Sequence, residues 1–337
     1  MVAVVLALAA FGLLVPLPFR HRAVGAVGDL CHAPLFGGLT WLALVWLGRW
    51  HPIVGQPWSL SWRVVGVSAG VFTLGLMAEW AQGHLGRSAA WHDAVANGWG
   101  IAAAATLFGT QAAGRTGAGS WGWICRAAGW AAAAVMLAFA WVGPLTVLAD
   151  VLAKHRQFPL LASFESEVEL QRWYFRHASA SLVAQQEGAR QERIQREAVE
   201  EVPHGRSMLR MNLRPADIAG GTLFELPADW SAMEQLKLEV RLSGEYREPT
   251  AQLLIKVADT RTADFETDVF REIIRIGRGR WQTISIPRHA LSQGPDQRRL
   301  DLRRVRYLDL FLVSPVEPVE LDVDHVRLTL ERTDAAE

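Results

Sequence analysis

The chain has 337 residues, 34 basic and 34 acidic side chains and no net charge. That balance excludes the strong basic excess on one face that nucleic-acid binding requires. Its two cysteines, Cys31 and Cys125, are too few for a disulfide framework, and no metal-ligand spacing accompanies them.

The neutrality joins two unlike halves. Residues 1–150 hold eleven charged side chains, seven basic and four acidic; residues 151–337 hold 27 basic and 30 acidic ones. Twelve of the fifteen tryptophans lie in the first half, many near the ends of apolar runs, as expected of rings that settle at a membrane–water interface. A membrane-crossing helix needs about 20 mostly apolar residues. Met1–Phe19 fits, and without a basic leader or a small-residue cleavage pattern it is expected to be a retained helix. Ala33–Trp50 is a second, short span. Val64–Leu85 is a third, with Gly66 and Gly70 at the spacing that lets helices pack closely. Asp93–Ala113 is a fourth, rich in Gly and Ala. Ala127–Leu152 is a fifth, with a kink expected at Gly143–Pro144. Cys31 and Cys125 are expected as buried small hydrophobes. Cys31 does not pair with His32, because adjacent helical residues point about 100° apart.

From about Phe158 the pattern changes to period two. Leu236, Leu238, Val240 and Leu242 alternate with polar residues, as do Leu253, Ile255 and Val257. Trp281–Pro287, Val305–Val313 and Val319–Leu330 read as further strands. Short alternating runs bounded by Gly, Pro and Asp predict an all-β sandwich. The charged stretch Ala184–Val202 reads as a solvated loop or exposed helix. The expected organisation is multi-domain. An all-α transmembrane bundle of about five helices fills 1–152 and a linker 153–162. An all-β sandwich of jelly-roll type fills 163–332, with a tail at 333–337.

Polar residues interrupt the apolar half in a restricted pattern. Asp29 and His32 stand at the mouth of the second span, Glu79 and Gln82 near the end of the third, then Arg87, then Asp93 and Asn97 in the fourth. An ionisable group at a helix centre in a bilayer costs at least ~2.5 kcal/mol, so it normally faces a partner or a water-filled cavity. Asp93 and Asn97 share a face at i, i+4, as do Glu79 and Gln82 at i, i+3. A short hairpin between the two spans would bring those faces together, with Asp29 and His32 at the same membrane surface. Arg87, flanked by His84 and His92, offers the fork that suits a phosphate or carboxylate. The set suits a pocket for the anionic head of a lipid-linked glycan precursor. It also suits an internal network holding the hairpin in register. Glu79, Asp93 and His32 are metal-ligand types but have no diagnostic spacing, so neither a metal nor a cofactor is expected. No nucleophile stands out, which favours binding over catalysis. In the β half, Trp173, Tyr174 and Trp230 are the aromatics to consider for sugar contact, with Trp281 placed in the core. Asp259 and Asp264 are possible Ca²⁺ ligands or simply solvated turn acids.

The membrane half resembles the VanZ-like family, named for a protein linked to glycopeptide-antibiotic resistance. The resemblance rests on Asp29-Leu-Cys-His32, Glu79-Trp-Ala-Gln82, Arg87 and Asp93-Ala-Val-Ala-Asn97-Gly98-Trp-Gly100, over roughly residues 20–110. Leu30 stands where the family motif usually has Lys. The resemblance implies a small multi-span envelope protein without an assigned biochemical activity. The second half resembles the galactose-binding-like jelly rolls of carbohydrate-binding modules. That likeness rests on Phe164-Glu165 with Trp173, His204–Leu209, Asp259, Trp281–Pro287 and Leu321–Leu328. It implies a glycan as ligand and a location outside the cytoplasm. The positive-inside count is four arginines against five basic residues, leaning slightly the other way. The expected protein is a multi-pass protein of the bacterial cytoplasmic membrane with an extracytoplasmic C-terminal domain. Its expected partners are the lipid bilayer and a glycan or lipid-linked precursor.

Overall fold

The computed structural model describes residues 22–50, 57–84, 91–116, 121–184, 205–243, 245–295 and 298–330. The chain divides into two compact units, Met1–Val151 and Leu152–Glu337. The first holds four described helices: α1 (Arg22–Trp50), α2 (Pro57–His84), α3 (Trp91–Thr116) and α4 (Trp121–Arg156). The expected span Met1–Phe19 lies outside the described residues, as does most of the charged stretch 184–202. Among the described residues, three helices are long and apolar enough to cross a membrane: Arg22–Gly48, Ser61–Ala81 and Trp121–Arg156. The helix ends follow local chemistry. Pro57 opens α2, where its missing N–H costs nothing. Asp93 sits in the first turn of α3, and Lys154, His155 and Arg156 close α4, each matching the helix dipole.

One expectation about these helices needs correction. α1 begins at Arg22, so Asp29 and His32 lie inside the helix, not before it. α4 is one helix that contains Pro144, the position of the expected kink. α1 likewise contains Pro34, whose ring nitrogen cannot donate to the Leu30 carbonyl one turn earlier. The indole N–H of Trp141 supplies that donor at 3.1 Å, which ties α4 to α1. Arg22 and Asp150, paired at 3.0 Å, make a second tie between them.

The close helix approaches are set by glycine, but not at Gly66 or Gly70, which face open space. A Cβ on Gly100 would collide with the Ala33 carbonyl, and one on Gly37 would come within 2.9 Å of the Gly100 carbonyl oxygen. α1 and α3 therefore touch backbone to backbone. Gly75 of α2 meets the Phe36 ring and the Asn97 amide at 3.0 and 3.3 Å in the same sense. Around these points Phe36, Val71 and Ile101 form a small apolar core. Most other large side chains point outward, among them Trp62, Trp80, Trp130 and Phe139. Helices apolar on every face, with their bulk turned outward, suit an apolar surrounding better than water. Cys31 and Cys125 are also exposed on the helix exteriors, contrary to the expected burial.

The second unit is a β-sandwich of two antiparallel sheets. Its strands are β1 (Leu160–Ala162), β2 (Trp173–Arg176), β3 (Ala178–Ala184), β4 (Ser207–Leu213), β5 (Ile218–Leu223) and β6 (Met233–Leu242). They continue as β7 (Thr250–Asp259), β8 (Phe270–Gly277), β9 (Trp281–Pro287), β10 (Val305–Val313) and β11 (Val319–Leu330), with a short helix α5 (Arg288–Ser292) after β9. One sheet runs β3-β4-β11-β6-β9, with β1 also pairing β11; the other runs β2-β5-β10-β7-β8. Alternation assigns each strand's faces. Leu236, Leu238, Val240 and Leu242 of β6 pack inward against Leu253, Ile255 and Val257 of β7 and Leu308, Leu310 and Leu312 of β10. Gly221 leaves room for inward rings: a Cβ there would meet Phe175 and Trp173 at 3.1 and 3.2 Å. The core closes on the fully buried Trp230, whose indole N–H donates to the Pro227 carbonyl at 2.7 Å. On either side of residues 157–159, 153–156 continue α4 and Leu160–Ala162 form β1.

Candidate functional site

The helical unit gathers polar side chains at one end. α1 contributes Asp29 and His32 from its first half, α2 contributes Glu79 near its last turn, and α3 contributes His92, Asp93 and Asn97 from its start. The backbone contact at Ala33, Gly37 and Gly100 places the α1 and α3 groups side by side, and Gly75 admits α2. His32 Nδ1 lies 3.0 Å from Asn97 Oδ1, and His32 Nε2 lies 4.0 Å from Asp93 Oδ1. His92 Nε2 stands 3.5 Å from Asp93 Oδ1 and 3.7 Å from Asp29 Oδ2. His32, Glu79, Asp93 and Asn97 are buried, Asp29 is partly buried and the His92 side chain is exposed. The cluster thus grades from a dry interior to a wet rim, an arrangement that can hold a cation or move a proton.

The structure therefore brings Asp29, His32, Glu79, Asp93 and Asn97 together and adds His92, which the sequence placed only as a neighbour of Arg87. Gln82 lies on α2, but its side chain is outside the described residues, and so is the whole of Arg87. His84 is engaged elsewhere: its ring bonds the Trp80 carbonyl at 2.9 Å and lies tilted against the Trp80 ring, 4.3 Å between centroids.

In the β-sandwich the expected aromatics separate. Trp230 is fully buried and Trp173 is 7% exposed, so neither offers a ring face to a ligand. Both fill the space between the sheets, where a large ring removes the most apolar surface from water. Tyr174 is different: on β2 it points away from the core and is 60% exposed. It begins a row across the outer face of the β2-β5-β10-β7-β8 sheet. Tyr174 meets Phe224 at 6.4 Å between ring centroids, Phe224 meets Tyr307 at 6.0 Å, and Tyr307 meets Phe265 at 5.7 Å. Phe224 and Phe265 are each 50% exposed.

Polar groups lie on the same outer face. Thr222 Oγ1 donates to Asp309 Oδ1 at 2.6 Å, and Lys256 Nζ pairs with Glu266 at 3.0 Å while donating to the Phe265 carbonyl. Burial pushes the Asp309 carboxyl up to about 6, against the lowering effects of the Thr222 hydroxyl and the Lys256 charge. Burial likewise raises the Tyr307 phenol. Sequence reasoning passed over Phe224, Phe265, Tyr307, Asp309, Lys256 and Thr222. Three of them had a signal. Tyr307 and Asp309 alternate with Leu308 and Leu310, and Lys256 with Ile255 and Val257, which marks outward positions on central strands. Phe224 and Phe265 lie beyond strand ends, where alternation no longer assigns a face.

Trp281, expected in the core, sits on the outer face of the other sheet with the Arg241 guanidinium 5.0 Å above its ring. Arg241 and Arg210 converge on Asp322 at 2.6 and 2.8 Å. Asp259 and Asp264 do not point at a common site. Burial alone would raise Asp259. Hydrogen bonds from Arg298 at 2.6 and 2.9 Å and from the Asp301 and Arg261 amides outweigh it and hold the carboxyl below its usual range. Asp264 accepts from the Glu266 amide and the Thr267 hydroxyl.

No family model and no curated protein matches the chain. Among solved structures it is similar to an exo-β-agarase, at 16% identity and a TM-score of 0.38, over 51% of this chain and 25% of that one. It is also similar to a family 11 carbohydrate-binding module from Clostridium thermocellum, solved with a β-1,3-1,4-mixed-linked tetrasaccharide. That match has 14% identity and a TM-score of 0.35, over 50% of this chain and 93% of the module. A third likeness, to the agarase AgWH50C, has 12% identity and a TM-score of 0.35, over 51% of this chain and 26% of that one. The chain spans about a quarter of each agarase. At such identities and scores none of the three assigns a ligand to this chain.

Proposed function

We propose that this is a VanZ-like membrane protein of the bacterial envelope whose β unit binds a surface glycan or its lipid-linked precursor. In this reading the helices, with Met1–Phe19 as a fifth, anchor the chain in the cytoplasmic membrane. The cluster of Asp29, His32, Glu79, Asp93 and Asn97, together with Gln82 and Arg87, forms a polar pocket at one membrane surface. The β unit is a galactose-binding-like jelly roll on the extracytoplasmic side. One observation carries the glycan: the exposed Tyr174, Phe224 and Phe265 lie in one row beside Asp309, Thr222 and Lys256. Sugars present an apolar C–H face that stacks on rings, and this face offers three exposed ones; Thr222, Asp309 and Lys256 are buried beneath the row and bonded to protein partners.

The test is saccharide retention by the full chain in detergent, using an array of neutral and acidic bacterial polysaccharides. Retention of at least one glycan, lost about tenfold or more in a Tyr174→Ala, Phe224→Ala double variant, is the expected outcome; each ring is worth of order 1 kcal/mol by contact alone. A chain that retains none overturns the glycan reading. Paired C-terminal reporters, one active outside the cytoplasm and one inside, test the sidedness, and a cytoplasmic C-terminus overturns the surface role. The buried acids and imidazole of the helical cluster also suit a membrane enzyme acting on an anionic lipid-linked substrate. That role requires Glu79→Gln or Asp93→Asn to abolish turnover while leaving protein level and glycan retention unchanged.

A further inference from the structure

The helical cluster holds a buried oxygen, Asp93 Oδ1, that no hydrogen bond satisfies. His32 Nδ1 is 3.0 Å from Asn97 Oδ1, an oxygen that can only accept, so the proton sits on Nδ1. With that tautomer the lone pair of Nε2 faces Asp93 Oδ1, 4.0 Å away. Two lone pairs facing across that gap repel. The distance is too long for a hydrogen bond, whose heavy atoms lie about 2.7–3.2 Å apart. Asp93 is 8% exposed, and its Oδ1 is buried with no hydrogen-bond donor of its own. An oxygen in that state, pointed at a ring nitrogen, calls for a positive charge between them, either a proton on that nitrogen or a bound cation.

A third ligand stands at the same point. His32, Glu79 and Asp93 each offer one donor atom, all three residues are buried, and the three atoms lie within 4.8 Å of one another. We propose that His32, Glu79 and Asp93 together bind one divalent transition cation, with Zn²⁺ as the best fit. Ligand atoms about 2.0–2.2 Å from a zinc ion stand roughly 3.3–3.6 Å apart when tetrahedral. Closing the observed 4.0 Å gap between His32 and Asp93 to that value needs a shift of a few tenths of an ångström, and the separations to Glu79, at most 4.8 Å, need a shift of up to about 1.3 Å. One imidazole nitrogen and two carboxylate oxygens suit zinc or manganese; calcium and magnesium prefer all-oxygen shells with more ligands. Three protein ligands leave a coordination position open, the pattern of zinc sites that take a further ligand. Asn97 holds the far nitrogen of His32, the supporting contact that metal-bound histidines usually make. His92 and Asp29 lie on the exposed side of Asp93 and line the approach. Chain spacing hides the set because its members come from three helices.

This inference rests on reading the helical cluster as a binding site and deepens it. The open position would take an anionic oxygen, such as the phosphate of a lipid-linked head or free phosphate. The test uses the full chain in detergent, stripped with EDTA and then given Zn²⁺ or Co²⁺. The expected result is one ion per chain surviving desalting, visible Co²⁺ d–d absorption, and a Zn²⁺-dependent rise in Tm. Asp93→Asn and His32→Gln should lose the ion, Asn97→Ala should weaken affinity about 10–100-fold, and His84→Gln should bind as the parent does. A parent chain that binds no stoichiometric Zn²⁺ or Co²⁺ overturns the proposal without any variant, so the test does not depend on every variant folding. Equal binding by a folded Asp93→Asn variant also overturns it. Inorganic phosphate should shift the Co²⁺ spectrum if the open position takes a free phosphate. A shift only with vesicles containing a polyprenyl phosphate would assign it to a lipid head. A spectrum unchanged by either overturns the open position. Saccharide retention with and without EDTA separates this proposal from the glycan reading: a chain that keeps the sugar but binds no metal sinks only the metal site.

Discussion

Replacing Asp309 by Asn should stabilise the β unit at neutral pH and leave it unchanged in acid. Asp309 lies on the outer face of a central strand, 8% exposed, and burial raises its carboxyl to about 6. An unperturbed Asp titrates near 3.9, and each unit of difference is worth about 1.4 kcal/mol, so the ionised form costs about 3 kcal/mol in the folded unit. The sign follows from proton counts. Below about pH 4 both folded and unfolded chains hold the proton, and the group contributes nothing to the pH dependence. Between about pH 4 and 6 the unfolded chain releases it while the folded chain keeps it, so stability falls as pH rises. Above about 6 the full cost persists. Asn keeps an oxygen that can accept from Thr222 Oγ1 but carries no charge, so the cost disappears. Lys256 loses a favourable charge nearby, and the realised gain should be about 1–3 kcal/mol at pH 7.5. The hydrophobic core of the second unit is drawn entirely from its own residues, so urea unfolding of residues 157–337 at pH 4.0 and 7.5 is the assay. Parallel pH curves for parent and variant, or a variant less stable at pH 7.5, would refute the account.

Other outcomes follow from the same structure. Arg298→Ala should destabilise the β unit by roughly 3–5 kcal/mol in urea unfolding at pH 7, because it strands the fully buried Asp259 carboxylate. Because the Asp259 carboxyl is held low in the folded state, that loss should fade only as pH falls below about 4, through and beneath the ordinary carboxylate range; a loss under about 1 kcal/mol would count against the pairing. Trp141→Phe should cost about 1 kcal/mol of helical-unit stability in detergent, and Pro34→Ala should remove most of that cost by restoring a donor to the Leu30 carbonyl. Additive effects in that double-mutant cycle would show that the indole does not serve this carbonyl. Gly100→Val should lower the thermal stability of the full chain by about 1–3 kcal/mol through the clash with Ala33, whereas Gly70→Ala should be neutral. Equal effects at the two positions would contradict a backbone contact between α1 and α3.

The β-sandwich was legible because alternation is a local code: it identified β6, β7, β9, β10 and β11 and most of the inward residues on them. Tryptophan broke the code in both directions. Trp230 lies outside any strand, so no alternation assigned it to the core, and Trp281 is large and apolar yet sits outward beneath Arg241. Ring chemistry alone cannot separate these cases, since the same side chain serves a dry interior and a cation-capped surface. In the helices, composition identified the apolar spans but misjudged which small residues bring them together. Gly66 and Gly70 carry the familiar spacing and touch nothing, while Gly37, Gly75 and Gly100 make the contacts. A spacing motif permits a close approach, but only the partner helix decides which glycine uses it.

The polar residues behaved oppositely, because their cost in an apolar segment is itself a long-range signal. Asp29, His32, Glu79, Asp93 and Asn97 were grouped from sequence on the ground that none could face lipid alone, and they meet at one end of the helical unit. That cost constrains where such groups go without naming what they do there. Finding them adjacent is therefore expected of a structural network and of a binding site alike. What separates the two is the satisfaction of individual atoms. A network evolved only for register would match each buried donor with an acceptor. Here the Asn97 contact fixes the His32 proton on the wrong side for Asp93, leaving a nitrogen and an oxygen facing each other across 4.0 Å. A helix pair held together by that contact alone would gain by exchanging one of the two residues for an apolar one of similar size. Asp93→Leu should then fold at least as well as the parent if the cluster is structural, and a chain that needs Asp93 for a cation should lose that cation's stabilisation instead.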